Sequence, residues 1–248
     1  MVRLTGKQKE ADAARESFAK HQKKEKIIWM EPSELAAKDT AFEPAVKRNL
    51  IAGAVMGVTD ESGDARIFAT KLATEFENRG GEIRTNCRVT DFISQNGYVQ
   101  GVTTEQGDIS ADRVVLSSGV ASKALAKKIG ITIPVLPIKG YSVTVPIIDE
   151  SRVPISSCTD LKHRLVISRL GMRLRVAGFA EIGSDKACDA GRAAAARDRL
   201  EALFPDAADY QSFDNWMGFR PMTPDGAPII GEAETLRNLW FNTGHGTL

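Results

Sequence analysis

Between Ala65 and Gly119 the chain carries, in unbroken succession, the signals of one α/β unit, and no other stretch constrains the fold as tightly. Phe68, Leu72 and Phe76 recur at i, i+4 and i+8 with Ala69 and Ala73 beside them, which places apolar side chains along one stripe of a helix over Ala65 to Arg79. Gly80-Gly81 ends that helix. Glu82-Ile83-Arg84 and then Arg88 to Ser94 read as strands. Asn96-Gly97 is a strong hairpin signal, and Gln106-Gly107-Asp108 makes a second turn. Val114-Val115-Leu116 closes the run as a buried strand that empties into Ser117-Ser118-Gly119. The expected order is helix, strand, three-stranded meander and buried strand.

The flanks are different in character. Lys7 to Gln22 is rich in Ala, Glu, Lys and Gln without Gly or Pro and reads as a surface helix. Ile27 to Trp29 is a short strand, Pro32 sits at a helix start, and Leu50 to Val58 is a strand because Gly53 and Gly57 would be costly inside a helix. After Pro134, β-like runs at Ile138 to Ile148, Arg164 to Ser168 and Arg173 to Phe179 are separated by turn residues and point to a largely antiparallel sheet. Gly191 to Leu203 is an Ala- and Arg-rich helix, Tyr210 to Phe219 returns as a strand, Pro221 to Ile230 is a turn-rich loop, and Leu239 to Phe241 is a short buried strand.

Composition removes several function classes. The net charge is +1, so no global basic field suggests nucleic acid. The cluster Lys23-Lys24-Glu25-Lys26 reads as a solvated helix end. Cys87, Cys158 and Cys188 form no CxxC pair, and His21, His163 and His245 have no metal-ligand spacing, so no metal site is expected. Sparse, odd-numbered cysteines fit a reducing compartment, hence the cytoplasm. Met1 to Lys9 is polar where a signal peptide needs an apolar core, and the apolar stretch around Leu50 to Val58 is far short of the ~20 residues of a spanning helix. Peripheral attachment to a membrane stays open. No GxSxG, HExxH, P-loop or GxGxxG motif occurs.

Three segments are candidates for ligand contact. The small residues Ser117, Ser118 and Gly119 after a buried strand let phosphates or ribose approach the backbone, although tight turns that bind nothing look the same. In Gly218-Phe219-Arg220-Pro221-Met222-Thr223-Pro224-Asp225-Gly226, prolines stiffen the chain directly after an arginine whose planar fork suits a carboxylate; a structural pairing with Asp225 is the equal alternative. Asn242-Thr243-Gly244-His245-Gly246-Thr247 could pass close to a flat ligand, or could be a surface loop near a chain end.

These segments occur together in one family. The chain resembles the D-amino-acid dehydrogenases within the wider group of D-amino-acid, glycine and sarcosine oxidases. The resemblance rests on Gly63-Asp64, Val114 to Gly119, Pro137 to Ser142, Arg173 to Gly178, Trp216 to Gly231 and Asn238 to Leu248, which together cover nearly the whole chain. It implies an α/β (α+β) fold: an incomplete FAD-binding, Rossmann-like domain with a β-meander, plus an antiparallel-sheet substrate domain. Residues 1–62 and 135–215 would belong to the substrate domain, and 63–134 and 216–248 to the FAD domain. In the family a GxGxxG segment precedes these residues and a glycine-rich segment follows them, so the chain is expected to be an internal fragment with FAD retention in doubt.

By the same resemblance the cofactor is FAD. Val89 would meet the adenine through its backbone, and Ser117, Ser118 and Gly119 would lie along the cofactor. Lys139, Gly140 and Tyr141 would enter the substrate sheet near the flavin, while Gly244, His245 and Gly246 would bring backbone to the isoalloxazine. Arg220 would clamp the substrate carboxylate, with Tyr141 and His163 as further catalytic candidates. The implied reaction is oxidative deamination of a D-amino acid to a 2-oxo acid and ammonia. Electrons would pass to a quinone or respiratory acceptor, which would favour a place at the inner face of the plasma membrane. A glycine- or sarcosine-type oxidase and a non-catalytic remnant are the alternatives.

Overall fold

The computed structural model describes residues 1–21, 26–183 and 187–246. Gln22, the Lys23-Lys24-Glu25 part of the lysine cluster, Thr247 and Leu248 lie outside the described residues. In chain order the elements are β1 (Val2–Thr5), α1 (Gln8–His21), β2 (Ile27–Met30), α2 (Pro32–Lys38), α3 (Glu43–Lys47), β3 (Gly53–Gly57), α4 (Ala65–Asn78), β4 (Val89–Gln95), β5 (Tyr98–Thr104), β6 (Gly107–Ser110) and β7 (Val114–Leu116). Then follow α5 (Ser122–Lys128), β8 (Leu136–Pro146), β9 (Cys158–Asp160), β10 (Leu165–Leu170), β11 (Arg173–Ile182), α6 (Ala190–Leu203), β12 (Asp214–Met222), β13 (Ile229–Glu232) and β14 (Leu239–Thr243).

The chain divides into two compact units, one of residues 1–68, 140–179 and 186–217, the other of residues 69–139, 180–185 and 218–248. The first unit is built on a sheet of order β12-β8-β11-β10-β9-β1-β3-β2. Period-two alternation sets its faces. Leu4, Val143, Val145, Leu165, Ile167, Leu174 and Val176 point into one core, where they meet Leu35 of α2, Ala45 of α3 and Leu200 and Leu203 of α6. Phe42 and Phe204 meet edge-on in that core with ring centroids 5.4 Å apart. Helix α6 buries Ala193, Ala196, Leu200 and Leu203, one stripe at helical spacing, and Asp189 caps its N-terminus by accepting from Arg192 N. Residues of the opposite parity, among them Val166 and Arg175, are not in the core. Most pairings are antiparallel, as the sequence implies; β1 beside β9 is parallel.

The second unit holds the meander β4-β5-β6 and the sheet β13-β14-β7. Asn96 and Gly97 lie at φ +55° and +81°, the pair of left-handed residues that a tight hairpin requires. Phe92, Val99, Leu116, Ala126, Ile133, Val135, Leu239 and Phe241 make the core. The Arg237 N–H donates to Gly97 O and the Arg237 carbonyl accepts from Val99 N, which ties the meander to the loop before β14. The outer face of β13-β14-β7 exposes Val115, Trp240 and Ile230 beside the polar Glu232 and Asn242.

Three expectations need revision. Glu82-Ile83-Arg84 forms no strand; no ladder bonds are made there, and the Glu82 carboxylate instead holds Arg84 at 2.6 Å. Tyr210 does not begin a strand either. Asp209 accepts from Gln211 N and Ser212 N, which turns the chain, and β12 starts only at Asp214 but continues through Arg220 to Met222. The amphipathic helix α4 forms with Asp64 capping Arg66 N and Ile67 N, yet Leu72 and Phe76 on its apolar stripe are exposed.

Candidate functional site

Strands β7 and β14 of the second unit run parallel, with Leu239, Trp240 and Phe241 opposite Val114, Val115 and Leu116. Both therefore end on the same side of the sheet, and both end in candidate segments: Ser117-Ser118-Gly119 after β7 and Gly244-His245-Gly246 after β14. The carboxyl ends of adjacent parallel strands are where α/β sheets hold ligands, because backbone N–H groups and following helix starts converge there. Thr243 Oγ1 donates to Gly119 O at 3.2 Å and locks the two exits together.

The chain after Arg220 is drawn to the same place. Met222 bridges His245 in antiparallel fashion, and Gly246 N donates to Pro221 O at 3.0 Å. Gly244, at φ +84°, has the backbone conformation that favours glycine, and a Cβ there would lie 2.9 Å from Thr223 Cγ2; a Cβ on Gly246 would lie 2.2 Å from Met222 Sδ and would push that side chain aside. Thr223 is buried and its hydroxyl donates to Ala227 O at 2.8 Å, while Asp225 accepts from Ala227 N, so the turn after the arginine is internally braced. Arg220 itself is half-buried on β12.

A cleft of about 650 Å³ opens between the start of β4 and helix α5, lined by Arg88, Val89, Thr90, Ser118, Ala121 and Leu125 among others. Val89 and Ser118, both expected at a cofactor, thus share one cavity. Sequence reasoning missed the α5 wall; the run of small residues leading from Ser117 into a helix was the available signal. Lys139 is 2 % exposed, and its Nζ lies 3.3 Å from Glu181 Oε1. Glu181, on β11 and far from Lys139 in sequence, gave no sign of this role.

Gly140, Tyr141 and His163 fall in the first unit. The Tyr141 ring is buried, edge-on to Phe179 at 6.1 Å, and the Arg192 guanidinium lies over both rings. His163 stands in the turn before β10, its Nδ1 2.9 Å from Asp160 Oδ2, an oxygen that also receives Arg199 Nε at 2.6 Å. Burial by itself would raise the Asp160 carboxyl, but hydrogen bonding and charge from Arg199, with hydrogen bonds from His163, hold it below the usual carboxylate range. The three residues expected to be catalytic are therefore distributed: Arg220 lies in the second unit, Tyr141 in the packed interior of the first, and His163 in a buried ion-pair cluster. Among the described residues no group of three or more His, Cys, Asp or Glu could hold a metal, and no helix is long and apolar enough to cross a membrane.

Comparison with known proteins adds sequence and fold relatives. A family model described as "FAD dependent oxidoreductase" matches residues 1–248. A protein of Paramagnetospirillum magneticum named D-amino acid dehydrogenase is 43 % identical over 215 residues, 86 % of this chain and 51 % of that protein. One of Vibrio vulnificus with the same name is 43 % identical over 190 residues, 76 % of this chain and 45 % of that protein. The chain spans about half the length of these relatives. Among solved structures, glycine oxidase from Geobacillus kaustophilus superposes with a TM-score of 0.84 at 24 % identity, covering 99 % of this chain and 65 % of that one. L-proline dehydrogenase from P. horikoshii gives a TM-score of 0.82 at 18 % identity, with 99 % and 66 % covered. These likenesses show a shared fold.

Proposed function

Since the chain belongs to the FAD dependent oxidoreductase family, we propose that it forms part of an enzyme that oxidises D-amino acids to 2-oxo acids and ammonia. The observation that carries this reading is the convergence, at the carboxyl ends of the parallel pair β7 and β14, of two small-residue exits with the segment that follows Arg220. The substrate class comes from the D-amino acid dehydrogenases at 43 % identity.

The residues present fit FAD in part. The cleft beside Val89 and Ser118 has room for one end of a dinucleotide, and the Ser117 to Gly119 exit puts small side chains where backbone must approach a ligand. Val89, Ser117, Ser118 and Gly119 would hold the adenosine side, and Gly244, His245 and Gly246 would lie beside the ring. When bound, the flavin supplies a two-electron acceptor for the hydride of the substrate Cα. The protein's part is orientation. A bidentate Arg220–carboxylate pair fixes which face of Cα is presented, which selects one enantiomer, and the braced turn through Thr223 and Asp225 holds the arginine's strand in place. The buried Lys139–Glu181 pair keeps a fixed cation and anion in the same unit without net charge. Loss of the Cα hydride from a substrate whose amine is neutral leaves an iminium, and water hydrolyses it to the 2-oxo acid and ammonium.

The test is anaerobic reduction of the flavin of the full-length protein by D- and L-alanine. Reduction by the D-form alone supports the reading; reduction by neither, or by the L-form, overturns it. Arg220→Ala should lower kcat/KM at least about 30-fold, the loss of a charge-paired contact of about 2 kcal/mol or more, and leave flavin content unchanged. Fast reoxidation of the reduced flavin by oxygen would favour a glycine- or sarcosine-type oxidase. We further propose a quinone or respiratory carrier as electron acceptor, reached at the inner face of the plasma membrane; fractionation of the full-length protein with membranes, and its reduction of a soluble quinone, test this.

A further inference from the structure

Strand β1 lies inside the large sheet of the first unit, between β3 and β9, and carries an arginine in its middle. Val2 and Leu4 point into the core, so Arg3 points to the opposite face. Its ladder partners are Val55 of β3 and Thr159 of β9, neither of them an acid. Helix α1 packs over this end of the sheet through Ala11, Ala14 and Phe18, a stripe at i, i+3 and i+7. Two of the three are alanines, and the helix leaves two adjoining cavities of about 390 and 420 Å³, both lined by Arg3, Ile27 and Val55. Each has the size of a small-molecule site. Ala14, Phe18 and Leu161 close the first with apolar surface, whereas Lys26, Thr59 and Asp60 edge the second.

The acids of the surrounding elements are engaged elsewhere. Glu10 accepts from Gly6 N at 3.3 Å, and Glu31 from Trp29 Nε1 at 2.9 Å with Arg15 at 3.3 Å. Asp60 lies 3.7 Å from Met1 N and folds over Gly57. Among the described residues no carboxylate pairs with Arg3. The arginine is open to solvent, so it carries no desolvation penalty, and an anion meeting it alone would gain little. A ligand gains from this cleft when it brings both an anion for the cation and an apolar group for the cavity beneath α1.

We propose that this cleft binds an amphipathic carboxylate: Arg3 and Lys26 take the carboxylate, and the cavity under α1 takes an aliphatic chain. Asp60 on the same wall opposes a second negative charge, which makes a monoanion the fitting class. The site lies wholly within the first unit and goes beyond amino-acid oxidation, on which it does not depend.

Isothermal titration calorimetry with octanoate, run on the 248-residue chain and on the full-length protein, tests it. Octanoate below its micellar range should saturate a single site. Acetate and 1-octanol, which carry one half of the ligand each, should bind at least about tenfold more weakly. Arg3→Gln should weaken octanoate binding at least about tenfold at unchanged thermal midpoint, and Arg3→Lys should recover part of the loss. Ala14→Phe fills the cavity from the helix side and leaves both cations in place; it should also weaken octanoate at least about tenfold, and it decides the matter if Arg3→Gln does not fold. Heat that does not saturate, or 1-octanol or acetate binding as tightly as octanoate, overturns the proposal. So does octanoate binding that survives unchanged in a folded Arg3→Gln or Ala14→Phe variant.

Discussion

Asp160→Asn should cost the first unit a large part of its stability, and the size of that loss can be worked from the contacts. The Asp160 carboxylate is 1 % exposed, and it receives Arg199 Nε at 2.6 Å, His163 Nδ1 at 2.9 Å and His163 N at 3.1 Å. Arg199, only 13 % exposed, finds its counter-charge there. The amide is nearly isosteric and keeps one acceptor, so packing changes little and the loss is that of charge. Removing one partner of a buried ion pair costs about 3–5 kcal/mol, because the other charge stays desolvated. Retention of an acceptor puts Asn at the lower end, about 3 kcal/mol. Trp29 and Trp216 both belong to the first unit, so urea unfolding followed by fluorescence in a Trp240→Phe background reads that unit. The pH dependence gives a second signature. The folded carboxyl is held below its ordinary value, so its contribution is complete above the unfolded pKa of about 3.9 and is lost as pH falls through the lower folded value. Wild type and Asp160→Asn should therefore differ fully at pH 7 and converge in acid below about pH 4. A difference under about 1 kcal/mol at pH 7, or one that persists undiminished in acid, would show that the Arg199–Asp160–His163 cluster is not the electrostatic tie described here.

Three other perturbations follow from the second unit. Gly244→Ala forces a Cβ into a left-handed residue and against Thr223, and should destabilise that unit by about 1–2 kcal/mol, read as a lower thermal midpoint of Trp240 emission. Gly97→Val, with φ +81° in the β4–β5 turn, should cost a similar amount by the same measurement. Ser118→Phe fills the cleft beside Val89; in the full-length protein it should reduce the flavin bound per chain at least tenfold with the fold intact by circular dichroism, and full flavin occupancy would remove this cleft from the cofactor site.

Much of the architecture is written locally. Gly97 and Asn96 take their backbone angles from steric rules that act within one turn, the Asp189 cap and the stripe Ala193, Ala196, Leu200 and Leu203 obey helical spacing, and the meander follows from alternation broken by turn residues. The small-residue exits after β7 and β14 were visible for the same reason: each is a contiguous string. The errors arose where a partner decides. Glu82 to Arg84 has extended character but no neighbour to pair with, and Tyr210 fits a strand pattern until Asp209 turns the chain.

What the order of residues alone determined is which segments are helix, strand or tight turn, and that three short strings carry small or cationic groups suited to a bound cofactor and a carboxylate. Only the tertiary structure decided which of these strings meet: that the exits of β7 and β14 lie side by side, that Met222 reaches His245, that Asp160 neutralises Arg199, and that Arg3 is left beside Val55 and Thr159 in place of an acid. The reason is one of range. Backbone sterics and side-chain periodicity act over a few residues and are legible in one dimension, whereas the environment of a charge depends on burial and on groups brought to it by strand pairing across tens of residues, which no local pattern encodes.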